Sequence, residues 1–297
     1  MHDDELGVSD DIAARLIAQR FPELAGLPLR RLRTAGTVNT IIRIGDGHVA
    51  RFPLLEESEE QLRTEAAAIA EFIDVAPVPS PAPVGIAPAS SDFASAWAVQ
   101  TWIAGDAVAP DSHESSAEFA HDVVGVISAL RTADVRGRAF DGRGRGGRLR
   151  DHDDWVEHCL TRSAHLVDVD RTRRLWHALH DLPSAGPDVM SHRDLTPFNL
   201  LATGARLTGV LDTGGFGPAD PALDLVAAWH LFDADRRAII RDGLGADAVM
   251  WHRGAAWALQ QAMGLVWYYE TSNPAMSALG LSTVRRLRED EELARLA

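Results

Sequence analysis

Three side chains within one short stretch, Asp194, Asn199 and Asp212, have the types and spacing for chemistry on a phosphorylated ligand. Asn199 follows Asp194 by five residues, and Asp212 follows Asn199 by thirteen. Between Asn199 and Asp212 the chain reads as two apolar strands joined by a turn at Thr203-Gly204-Ala205. A hairpin returns its ends to one place, so the Asn199 carboxamide and the Asp212 carboxylate can face one ion. Hard oxygen ligands of this kind suit Mg2+ shared between protein and substrate phosphates. Asp194, on the loop just before the first strand, is then placed to take a proton from a substrate hydroxyl as that hydroxyl attacks a γ-phosphorus.

Several elements must position these groups. Residues 10–20 have helical spacing with acidic residues at the start. From Leu29 to Phe52 the chain reads as an antiparallel meander of short strands, with Gly36 and the Gly45-Asp46-Gly47 cluster as turn signals. Residues 56–73 return to helical periodicity, with Leu62, Ala66, Ile69 and Ile73 as one stripe and Glu65 beside it. The Pro-, Ala- and Ser-rich segment 76–92 reads as an irregular loop before a strand over Ala96–Trp102. From Ala117 onward long helical patterns dominate. The expected class is therefore α+β, with a small β-rich lobe over 1–100, a hinge at 101–106 and a larger α-rich lobe over 107–297. Residues 136–150 hold six arginines and five glycines; flexible RNA-binding tails share that composition, but in an acidic protein a solvated loop between helices is the stronger reading.

Composition narrows the chemistry further. The chain has 29 basic residues against 43 acidic ones, net charge −14, and every basic residue is arginine. Without lysine, a P-loop phosphate site and any Schiff-base or general-base lysine are excluded. The acid excess argues against duplex DNA or an anionic membrane as partner and is compatible with a cationic small molecule. Hydrophobic residues make up 46% of the chain, enough for a full globular core. The lone Cys159 fits a reducing compartment. The acidic start is unlike a signal peptide, and no run of about 18 apolar residues exists to cross a bilayer, so a cytoplasmic monomer or homodimer is expected.

The run His192-Arg-Asp-Leu-Thr-Pro-Phe-Asn199, followed by Asp212 beyond a hairpin, resembles the catalytic loop and metal aspartate of the protein-kinase-like fold. It is most similar to the aminoglycoside and macrolide phosphotransferase family. There the loop reads H-G-D-x-x-x-x-N and the metal segment V-I-D-W or V-I-D-F, followed by G-D-P-x-x-D-L-A. Here Gly209-Val-Leu-Asp212 leads to Gly217-Pro-Ala-Asp-Pro-Ala-Leu-Asp-Leu225, and Arg145-Gly-Gly-Arg-Leu149 is similar to the family's R-G-G-x-L turn. The likeness runs from about Arg31 to Arg286. It implies a bilobal kinase-like fold that uses Mg2+ with ATP or GTP. Arg51 would orient the nucleotide phosphates where most members have lysine, braced by Glu65 on the following helix. The turn from Thr34 to Asn39 lies where a phosphate-covering loop belongs, with Gly36, Thr37 and Asn39 as donors; it reads equally well as a plain hairpin turn. Backbone groups around Thr101 and Ile103 would meet the purine edge. His192 would pack under the catalytic loop, and Asp220 would brace that loop or cap a helix starting at Pro221, with Asp224 also structural. Thr213-Gly214 replaces the family's usual aromatic residue after the metal aspartate.

The acceptor is expected to sit on the α-rich lobe. Trp267 and Tyr268, on a helical pattern from Trp251, read either as core or as an aromatic wall for a sugar or macrolactone. Asp233, Asp235 and Glu270 are candidates for meeting a cationic antibiotic. Three functions follow: a nucleotide-dependent O-phosphotransferase acting on an antibiotic, a metabolite kinase of the choline or homoserine type, or a non-catalytic nucleotide-binding pseudokinase.

Overall fold

Ser9 starts the first element by accepting from the Ile12 N–H (3.2 Å), and Asp10 and Asp11 meet the positive end of helix α1 (Asp10–Arg20). The computed structural model describes residues 6–32 and 38–296. The chain divides into two units, Met1–Asp74 with Pro79–Ala104, and Val75–Val78 with Gly105–Ala297.

In the first unit α1 is followed by strands β1 (Leu29–Leu32), β2 (Asn39–Ile44) and β3 (His48–Pro53), helix α2 (Glu59–Val75), and strands β4 (Pro83–Ala87) and β5 (Trp97–Thr101). The sheet is antiparallel in the order β1-β2-β3-β5-β4. One face buries Ile42, Ile44, Ala50, Phe52, Trp97 and Val99 against Ile17 of the first helix and Phe21 just beyond it, with Phe52 stacked on Trp97 at 4.7 Å. Because side chains alternate across a strand, burying Ala50 and Phe52 turns Arg51 to the other face.

Two details differ from the sequence reading. On α2 the buried residues are Leu62, Ile69 and Phe72, while Ile73 is exposed, so the stripe is rotated and half-buried Glu65 lies on it rather than beside it. The segment 76–92 is not wholly irregular, because Pro83–Ala87 forms β4. An edge strand tolerates Pro83, and a register shift between Pro83 and Gly85 absorbs the mismatch.

The second unit opens with β6 (Asp106–Ala107), α3 (Ala117–Thr132), α4 (Asp153–Arg162), α5 (Val169–Leu179) and β7 (Val189–Ser191). It continues through β8 (Leu200–Thr203), β9 (Arg206–Val210), β10 (Gly217–Ala219), α6 (Val226–Leu231), α7 (Ala234–Gly243), α8 (Ala248–Tyr268), α9 (Pro274–Glu289) and α10 (Glu291–Ala294). β6-β8-β9 form one small sheet and β7 pairs with β10. Long α8 packs on α9 and is buried along most of its length. Tryptophans 97, 176, 229, 251 and 257 are core residues, so most of the aromatic content goes to packing. Among the described residues no helix is long and apolar enough to cross a membrane.

Candidate active site

β7 delivers the chain into the loop that carries His192, Arg193 and Asp194, where Asp224 holds the backbone. Its Oδ1 accepts from the Ser191 hydroxyl (2.8 Å) and the Arg193 N–H (3.2 Å), and its Oδ2 from the His192 N–H (3.0 Å). These bonds hold Arg193 at φ 71, a left-handed conformation unusual for a branchless but bulky side chain. The His192 Nδ1 accepts from the Asp194 N–H (3.2 Å), so the ring carries its proton on Nε2 and donates to the Leu211 carbonyl (2.9 Å). That bond ties the Asp194 loop to the residue before Asp212.

The hairpin does what its sequence suggests. A 3-10 turn over Pro197–Asn199 leads into β8, and the Leu211 N–H donates to the Asn199 carbonyl (2.7 Å), which brings Asn199 and Asp212 together at the open end. The Asn199 Nδ2 donates to the Asp194 carbonyl (2.8 Å) and to Asp194 Oδ2 (3.0 Å), leaving Asn199 Oδ1 as the oxygen for a cation. Asp212 is exposed and left-handed at φ 56. One amide oxygen and one carboxylate fit Mg2+, which keeps water and phosphate oxygens in its shell. Among the described residues no group of three or more His, Cys, Asp or Glu offers an all-protein metal cage.

Two further residues complete the surroundings of Asp194. Arg145 Nη2 and Gln261 Nε2 both donate to Asp194 Oδ1, each at 2.6 Å. The arginine-rich loop is exposed over most of residues 136–144, as a solvated connection would be, but at Arg145 it joins the site. Gly146, at φ +120, would place a Cβ 2.7 Å from that of Ala219, so only glycine lets the loop lie this close; its carbonyl accepts from the Asp220 N–H (2.7 Å). Arg193 reaches back to Asp141 (2.8 Å) and the Arg143 carbonyl (3.2 Å), and stacks on Phe140 at 5.0 Å. The hydrogen bond from Arg193 holds the Asp141 carboxyl below its usual range. Burial, reinforced by the charge of Arg145, pushes His152 below the usual histidine value.

Asp220 caps the following turn through the Ala222 N–H (2.9 Å), and its Oδ2 accepts from Arg253 Nε (2.8 Å) and Trp257 Nε1 (2.9 Å). Bracing of the Asp194 loop therefore belongs to Asp224. Pro221 does not begin a helix: the chain makes a turn and a 3-10 segment over Leu223–Leu225 before α6.

In the first unit Arg51, Glu65 and Asn39 line one concavity with Glu57 and Gln100. β3 is an interior strand, paired on both sides, with Arg51 opposite Ile41 and Ala98. Burial raises the Glu57 carboxyl above its usual range, opposed by the charge of Arg51. Gly36 and Thr37 lie outside the described residues. The Thr101 N–H donates to Ala82 (2.9 Å) and the Trp102 N–H to Gly47 (2.8 Å); half-buried Ile103 follows.

The proposed acceptor residues are scattered. Asp233 caps α7 through the Arg236 N–H (2.9 Å), and both it and Asp235 pair with the Arg236 side chain. Glu270 pairs with His165 at 3.1 Å. Trp267 lies under Arg162 (5.0 Å) and against His158, while Tyr268 is 49% exposed. From α8, Gln261 is the side chain that bonds Asp194. Its only sequence signal was an adjacent pair of glutamines in a largely apolar helix.

A sequence pattern described as the phosphotransferase enzyme family matches residues 30–257. The chain belongs to this family. Within the phosphotransferase family, an aminoglycoside 3'-phosphotransferase from Escherichia coli is 32% identical over 80 residues, covering 24% of this chain and 30% of that enzyme. Two solved structures share the fold. One is the GDP complex of wild-type aminoglycoside 2'-phosphotransferase-IIIa, with TM-score 0.69 and 16% identity over 97% of this chain and 99% of that one. The other is macrolide 2'-phosphotransferase from Brachybacterium faecium, with TM-score 0.63 and 17% identity over 92% and 98%. The α+β kinase-like architecture expected for a phosphotransferase of this family is thereby established.

Proposed function

We propose that this chain is a small-molecule O-kinase that moves the γ-phosphoryl group of ATP or GTP to an acceptor hydroxyl. The observation that carries this reading is the fixed state of Asp194. Its Oδ1 is held by Arg145 and Gln261, and its Oδ2 lies beside Asn199 at the open end of the hairpin that bears Asp212. The names of the relatives support an aminoglycoside or macrolide as acceptor, and the GDP complex of one supports a purine nucleotide as donor.

Asn199 Oδ1 and the Asp212 carboxylate would hold Mg2+, which neutralises charge on the nucleotide phosphates. Asp194 orients the acceptor hydroxyl and takes its proton as the new O–P bond forms and the bond to the leaving nucleoside diphosphate breaks. The Arg145 guanidinium, already at Asp194, supplies fixed positive charge where negative charge is carried in the transfer. Arg51 and Glu65 in the β-rich unit serve the nucleotide phosphates, as the family resemblance implies.

The test is to incubate the protein with Mg2+, ATP or GTP and a panel of aminoglycosides and macrolides, and to seek a phosphate adduct by mass spectrometry. Asp194→Ala should abolish transfer while nucleotide binding, measured by calorimetry, survives. Asp212→Ala should lose the Mg-dependent part of that binding. Transfer at wild-type rate by Asp194→Ala would overturn the assignment.

A further inference from the structure

Gln261 does not end at Asp194. Its Oε1 lies 3.1 Å from Nε2 of His230, and Nδ1 of His230 lies 2.7 Å from the Thr283 hydroxyl, which is also 2.9 Å from the Leu279 carbonyl. All three side chains are interior: His230 and Thr283 are fully buried, and Gln261 is 7% exposed. They come from three different helices, α6, α8 and α9. A polar chain crossing a helical core in this way must satisfy each of its members, since an unpaired buried polar atom costs about 1–3 kcal/mol.

The proton positions follow from chemistry. A carboxylate only accepts, so the Gln261 atom facing Asp194 is its amide nitrogen, and its oxygen must face His230. An amide oxygen also only accepts, so His230 carries a proton on Nε2. A neutral ring then has a bare Nδ1, and the single Thr283 hydroxyl proton lies between that nitrogen (2.7 Å) and the Leu279 carbonyl (2.9 Å), with the shorter approach to the ring. Burial keeps the ring neutral by pushing its pKa down to about 4. From His230 to Gln261 to Asp194 the donors run one way, and the Thr283 hydroxyl backs the ring at its other nitrogen.

We propose that Thr283, His230 and Gln261 form a directional relay that fixes the amide of Gln261 and thereby locks Asp194 with Oδ1 occupied and Oδ2 presented to the acceptor hydroxyl. Gln261 and its two partners are positioning residues, and the inference rests on Asp194 as the group that orients the acceptor. The opposite histidine tautomer would set Nε2 against the Gln261 oxygen, turn the amide over and face an oxygen toward the Asp194 carboxylate. The two tautomers thus correspond to an Asp194 held by Arg145, Asn199 and Gln261 together and one held by Arg145 and Asn199 alone.

Two experiments test this, and only the second needs turnover. In the free protein labelled with 15N-histidine, long-range 1H–15N correlation at pH 7 should show His230 protonated on Nε2 and bare at Nδ1, with the signal assigned by its loss in His230→Gln. In Asp194→Ala the His230 nitrogen signals should shift, and Gln261→Ala should remove that response. A ring protonated on Nδ1, or one indifferent to Asp194→Ala, overturns the relay. The kinetic arm measures phosphate transfer to kanamycin or erythromycin, or Mg-ATP hydrolysis with water as acceptor. Thr283→Val should lower kcat about tenfold with the KM for ATP unchanged, Thr283→Ser should restore it, and Gln261→Ala should cost up to about a hundredfold. An undiminished kcat in Thr283→Val overturns the positioning role. The expected tautomer and shift, found in a protein that transfers phosphate to none of these acceptors, would uphold the relay and remove the kinase assignment instead.

Discussion

Arg51 is the residue on which the absence of lysine bears most directly. It projects from an interior strand into the concavity that Glu65 and Glu57 also line, so it is not the loosely held arginine of a sheet edge. A guanidinium keeps its charge at any relevant pH and binds oxygens in a forked geometry, whereas an ammonium is a smaller point charge. Arg51→Lys should therefore keep measurable phosphate transfer with a raised nucleotide KM. Arg51→Ala should lower kcat/KM about a hundredfold, or about 2.7 kcal/mol, in steady-state kinetics. Equal activity in all three proteins would place the phosphate-binding cation elsewhere. Asp194, Asn199 and Asp212 could be read from the sequence because loop and hairpin are local, and spacing alone brings them together. Arg145 and Gln261 lie 49 and 67 residues from Asp194. Helix packing sets those approaches, and no short pattern encodes it. Arg145 could be read only as part of a turn, and Gln261 only as one of two glutamines.

At the scale of elements, the turn over residues 220–225 organises the site. Asp224 faces the catalytic loop, while Asp220 faces the glycine-rich loop through its N–H and α8 through its carboxylate. Arg253 and Asp220 are 6% and 3% exposed, so removing either leaves a charge in the core. Arg253→Ala should destabilise the fold by about 3–5 kcal/mol in urea denaturation. A loss under about 1 kcal/mol would mean that Asp220 is satisfied by Trp257 and Ala222 alone. The sequence pattern marked both aspartates as structural without dividing the work between them. Strand β4 was illegible for a different reason: on an edge, neither alternation nor the absence of proline is required. The α2 stripe was misplaced by one residue because Phe72 and Ile73 are adjacent apolar side chains, and only the packed sheet decides which turns inward.

For the molecule as a whole, the buried histidine and the arginine-bound carboxylates act on stability in the same direction. His230 is held neutral with its pKa at about 4, below the unfolded value of about 6.5. The unfolded chain binds the extra proton first, so stability falls as pH drops from about 6.5 toward 4, by at most about 1.4 kcal/mol per unit. Asp122, Asp141, Glu157 and Glu292 are each lowered chiefly by an arginine hydrogen bond; their contribution is present above the ordinary carboxylate range and is lost at still lower pH. The melting temperature of the wild type should therefore fall between pH 7 and pH 5, with a shallower slope in His230→Gln; parallel slopes would assign the acid sensitivity to other groups. Helix α8 gives the candidate site a further property. It meets Asp220 through Arg253 and Trp257, His152 through Gln260, Asp194 through Gln261 and Trp155 beside Gly264. A helix advances about 1.5 Å and turns about 100° per residue, so these engagements share one phase. Drift by single-residue replacement can revise them one at a time, but gain or loss of one residue within this span would throw all those beyond it out of phase together. The spacing along this helix thus couples engagements that its side chains make separately.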